Sequence, residues 1–139
     1  MKTMVTFSGV MVWLLSLCLL IPAAAAQEAK TVDVVAAAIC KDVVEREAVD
    51  VGTRFSNLVP RLYCFTKVVS SETPTEVVHV WRYGDVERAR VTLAIKAAAW
   101  RTYSSKVIQP HEIGPWRVDI LDSSGNLLEA INFEITAQP

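Results

Sequence analysis

Histidine and cysteine are scarce in this chain, with two of the first and three of the second among 139 residues. Neither type is clustered. No CxxC, HxxxH or DxDxDG stretch occurs, so the spacings that zinc and calcium sites use are absent and no metal role is expected. GxSxG and a glycine-rich phosphate loop are also missing. That removes the sequence grounds for a nucleophile elbow or a nucleotide cradle, and no cofactor is expected. Glycine and proline number only five and six, which excludes collagen-like repeats and low-complexity tracts. The formal net charge is −1, with no basic run. A nucleic-acid partner would need an electrostatic footprint that is not there. No apolar run reaches the length of a membrane span.

The longest apolar stretch is Val10 to Ile21, 12 residues, preceded by Lys2 and broken by Pro22. Ala24, Ala25 and Ala26 follow. A positive start, a short apolar core and small residues before Gln27 read as a secretory signal peptide over residues 1–26, cleaved between Ala26 and Gln27. An uncleaved anchor is the alternative, since Val5 and Phe7 could lengthen the run. Cleavage would leave a chain of about 110 residues, enough for one domain, with no membrane span. The expected location is outside the cytoplasm, periplasmic or secreted. Export also removes Cys18 and leaves Cys40 and Cys64, an even count in an oxidising compartment. A disulfide between them is expected and would contribute ~3.5 kcal/mol by loop closure. The alternative is two buried thiols that pack as small hydrophobes.

Along the rest of the chain the dominant hydrophobic period is two. Residues 27–37 read as a loose tail and the start of a first strand, and 38–136 as a single domain. Strands are expected at 32–40, 61–70, 75–83, 86–96, 100–108, 116–121 and 127–136, with 41–48 a polar continuation and 50–60 a long connection around Phe55. Turns fall at Ser70 to Pro74, Gly84-Asp85 and Asp122 to Asn126. Roughly seven or eight short strands joined by turn-rich segments predict an all-β fold, a single antiparallel sandwich of immunoglobulin-like type.

The residues offering chemistry are few. His79 lies between Val78 and Val80 on a strand beside Trp81. Ser104 and Lys106 share a strand face, as i and i+2 do. An aromatic followed by arginine occurs at Trp81-Arg82, Trp100-Arg101 and Trp116-Arg117. With the indoles in the core, the arginines would emerge on outer faces as a shallow cationic patch. The plainer reading is that these arginines lie over the sheet and pair with Asp119, Glu87 and Glu134. Candidate ligand-binding residues are therefore Arg101, Ser104, Lys106, Arg82 and His79, with an anionic glycan or an envelope protein as partner. No residue is assigned a catalytic role.

The ordered motifs at 40–47 (CKDVVERE), 62–68 (LYCFTKV), 79–81 (HVW), 100–106 (WRTYSSK), 114–120 (GPWRVDI), 125–128 (GNLL) and 133–135 (FEI) carry a resemblance. Taken together over residues 38–136, the string resembles an exported bacterial family catalogued as domain of unknown function 2914. The resemblance implies a small secreted β domain and brings no activity, substrate or cofactor with it. The family often has a proline where this chain has Ala48. The resulting expectation is a non-enzymatic binding or accessory module of the cell envelope. The competing expectation is a small envelope hydrolase or carbohydrate-active enzyme, which would join a histidine to an acid in an open pocket.

Overall fold

A computed structural model describes residues 31–138. The leader expected over residues 1–26 and its cleavage site lie outside the described residues. Those described form nine strands: β1 (Val32–Val44), β2 (Glu47–Val51), β3 (Arg54–Ser56), β4 (Arg61–Ser70), β5 (Thr75–Tyr83), β6 (Val86–Ile95), β7 (Ala99–Val107), β8 (Gly114–Leu121) and β9 (Leu127–Thr136). They make two sheets, ordered β2-β1-β4-β7 and β3-β9-β8-β5-β6. The inner faces pack into one core.

Alternation on the central strands places that core. Leu62, Cys64 and Val68 of β4 face Val77 and Trp81 of β5, Trp116, Val118 and Ile120 of β8, and Phe133 and Ile135 of β9. Trp81 and Trp116 are 0% and 1% exposed, so both indoles are core. Phe133 is the hub of their packing. It meets Trp81 edge-on at 6.2 Å, stacks on Trp116 at 6.0 Å and receives Phe55 edge-on at 6.2 Å.

Two strands exceed the sequence expectation, and both lie in the segment read as polar continuation and connection. Glu45 and Arg46 turn β1 into β2 with φ of 50° and 63°. This is the two-residue hairpin geometry that glycine or asparagine normally signals, and neither is present to mark it. β3 forms because Phe55 is buried against Phe133, which draws its backbone alongside β9 in parallel, with Arg54 opposite Glu134. The sandwich is therefore not purely antiparallel.

The expected disulfide is not formed: Cys40 and Cys64 are both free and buried. The register gives the reason. A bulge between Val34 and Ala36 inserts one residue into β1, so the inward face runs Val32, Val34, then Ala37 and Ile39. One residue of slip turns Cys40 to the outer face, opposite Tyr63, while Cys64 stands opposite Ile39 and faces inward. The Cys40 thiol lies 3.8 Å from the Tyr63 carbonyl oxygen. Burial raises the pKa of both thiols, that of Cys64 to about 12.

Candidate functional site

Five residues read from the sequence as one candidate site are distributed over four places. His79 and Ser104 are inside the core. β5 carries His79 in from one sheet, and β4 and β7 bring Thr66 and Ser104 from the other. His79 Nδ1 lies 2.7 Å from Ser104 Oγ, and Nε2 lies 2.9 Å from Thr66 Oγ1. Trp81 Nε1 donates to the same serine oxygen at 3.0 Å. All four side chains are buried. Desolvation lowers the His79 pKa to about 4, so the ring is neutral at physiological pH. A serine beside a histidine at this distance has the outline of a nucleophile and base. Here the second ring nitrogen meets a threonine rather than a carboxylate, and the serine oxygen is covered by an indole. The arrangement satisfies polar groups and ties one sheet to the other.

Arg82 is on the outer face of the second sheet. Its Nε donates to Asp119 Oδ2 at 2.9 Å, and Arg117 Nε donates to Oδ1 at 2.7 Å. One carboxylate thus serves two arginines that stand opposite each other on β5 and β8. The plainer sequence reading, with Arg82 held by Asp119, describes this site. Nearby, Glu112 is a fully buried carboxylate that sequence reasoning passed over. Its Oε1 accepts from the Gln109 backbone N–H at 3.0 Å, its Oε2 is 3.0 Å from Arg88 Nη2, and its carbonyl takes the Trp116 indole N–H. It fastens the loop before β8 to β6. Lys106 stands opposite Leu62, on the inward register of β7, and donates to the Val107 carbonyl.

Arg101 opens onto a recess, and the sequence did not indicate which residues would join it there. On the outer face of the first sheet, Arg101 of β7 is the direct ladder partner of Lys67 of β4. The hairpin turn between β1 and β2 reaches over this face: Arg101 Nη1 donates to Glu47 Oε1 at 2.6 Å. Arg46, Lys67, Ala97, Ala99, Trp100 and Arg101 enclose an open recess of about 440 Å³. A second, of about 330 Å³, shares Arg46, Trp100 and Arg101 and adds Phe65, Lys96 and Tyr103. The two recesses adjoin across these shared walls and together make a groove along β7, the edge strand of the first sheet. Four cations line it. Among the described residues, Glu47 is the one carboxylate bonded to any of them. No group of three or more metal-ligating side chains occurs among the described residues.

Residues 74–135 match the model of a family described as Protein of unknown function (DUF2914), the family that the motif string resembles. The match runs from β5 through β9. It includes Lys96, Trp100, Arg101 and Tyr103 of the groove and leaves Arg46, Glu47 and Lys67 outside, together with the motifs at 40–47 and 62–68. No curated protein matches the chain.

Proposed function

We propose that this is an exported, non-enzymatic module of immunoglobulin-like build that holds an anionic glycan of the cell envelope in the groove along β7. The observation that carries the reading is the facing pair Lys67 and Arg101. Like charges directly opposite on a ladder oppose pairing of the strands. Arg46 and Lys96 bring further positive charge to the same groove. Such a concentration of charge in a chain of net charge −1 favours an anion, and a guanidinium and an ammonium side by side suit an oxyanion group. Tyr103 and Trp100 offer the apolar contact that a sugar ring uses.

The strand order supports the immunoglobulin-like assignment. β1, β4 and β7 follow one another as strands A, B and E do, β9, β8, β5 and β6 as G, F, C and C′, and buried Trp81 occupies the strand that carries the core tryptophan in that fold. Burial of His79 and Ser104 favours binding over catalysis, because a substrate has no route to them. The leader reading supports export.

Binding of the purified protein to carboxylated, sulfated and neutral polysaccharides, each at low and high salt, tests the proposal. The protein is expected to retain an acidic polymer in a salt-sensitive way, and a Lys67→Ala, Arg101→Ala double variant is expected to lose that binding while folding normally. Equal binding by the double variant would refute the groove as the site.

A further inference from the structure

The groove already holds an anion of its own. Glu47 is the first residue of β2, directly after the turn made by Glu45 and Arg46. β2 is an edge strand hydrogen-bonded to β1 alone. From this arm the Glu47 carboxylate reaches Arg101, which is separated from it in the sheet order by β1 and β4. Both side chains of the pair are well exposed. Exposed ion pairs contribute little to stability, so exchanging one carboxylate for another costs little. Lys67, opposite Arg101, has no carboxylate bonded to it among the described residues.

We infer, resting on the reading above, that Glu47 is a built-in competitor for Arg101 and that the ligand is a carboxylated saccharide whose carboxylate takes its place, bridging Arg101 and Lys67. The group that Arg101 holds in the free protein indicates the group it is shaped to accept. A planar carboxylate matches the guanidinium fork. The saccharide part follows from Tyr103, two residues along β7 on the same face as Arg101. Tyr103 is 50% exposed, and Tyr63 holds its ring edge-to-face at 5.9 Å. An exposed, braced ring beside paired cations suits a sugar that carries a carboxylate at its rim.

The test is calorimetric titration of the protein with a galacturonate trisaccharide, against a sulfated trisaccharide of similar size. Glu47→Gln removes the competitor and is expected to tighten uronate binding by about two- to fivefold, the range open to an exposed ion pair. Glu45→Gln removes the same charge from the same turn without touching Arg101 and is expected to bind like the wild type. Unchanged or weaker binding by Glu47→Gln overturns the competitor role. Equal tightening by both variants assigns the effect to general charge and overturns it as well. Affinity for the sulfated sugar alone overturns the carboxylate assignment and leaves the groove proposal intact. Retention of uronate binding by the Lys67→Ala, Arg101→Ala variant instead overturns the groove proposal itself.

Discussion

Lys67 and Arg101 stand directly opposite each other on β4 and β7, two cations at one rung of an antiparallel ladder. Like charges directly opposite on a ladder disfavour pairing of the strands. Replacing Lys67 by threonine, a good strand former, is expected to raise stability by up to ~1 kcal/mol in urea unfolding while weakening acidic-glycan binding. A stability loss on this substitution would show that Lys67 supports the fold and is not held there for binding.

His79 makes stability depend on pH. Its pKa is about 4 in the folded protein against an ordinary 6.5, so the unfolded chain takes up the proton first as pH falls. The stabilisation is complete above about pH 6.5 and is lost progressively down to pH 4, by about 3 kcal/mol. Denaturant unfolding at pH 7, 5.5 and 4.5 measures the slope. His79→Gln is expected to lower stability at pH 7 and to flatten this part of the profile. An unchanged slope in the variant would assign the acid sensitivity elsewhere.

The buried hydroxyl of Ser104 is expected to matter for stability and not for binding. Ser104→Ala leaves the Trp81 N–H and one ring nitrogen of His79 without a partner, at a cost of about 1–3 kcal/mol. Glycan affinity should be unaffected, because Ser104 faces the core while Arg101 faces out. Altered affinity at full folding would connect the two regions.

Both thiols are expected to resist alkylation in the native protein and to react fully in denaturant without prior reduction. Burial raises the pKa of each and shields it. Mass spectrometry after labelling decides this. Failure to label in denaturant until a reductant is added would demonstrate a disulfide and contradict the β1 register.

Asp119 holds Arg82 and Arg117 together on the other sheet. Asp119→Ala leaves two guanidinium groups facing across β5 and β8 and is expected to cost about 2 kcal/mol in urea unfolding. Asp119→Asn, which keeps one acceptor oxygen, is expected to cost less. Equal losses would show that shape rather than charge is what the position supplies.

The hydrophobic period of two made the central strands legible. Alternation from Leu62 to Val68 and from Trp116 to Ile120 carries both the strand state and the inward face. What the sequence could not convey were interruptions of that period. The bulge at Val35 reverses the outward set of β1, and with it the direction of Cys40. The turn at Glu45 and Arg46 uses residues that seldom adopt positive φ, so the β2 hairpin was not marked. Register was equally hidden. Nothing local to Lys67 or Arg101 says that β4 and β7 pair so as to set them opposite one another. Arg101 was recognisable as a candidate because an indole precedes it. Arg46, Lys67 and Lys96 join it only through the fold. Ser104 and His79 were read from the sequence as candidate ligand-binding residues, and the structure places both in the core, within hydrogen-bond distance of each other.

The most direct measurement is a nitrogen-15 NMR titration of the purified protein with the galacturonate trisaccharide. Shift changes are expected to gather on Arg46, Lys67, Trp100, Arg101 and Tyr103, to fade at high salt, and to spare the Arg82–Asp119–Arg117 cluster. Absence of saturable changes, or changes centred on the opposite sheet, would contradict the assignment of the β7 groove as the binding site.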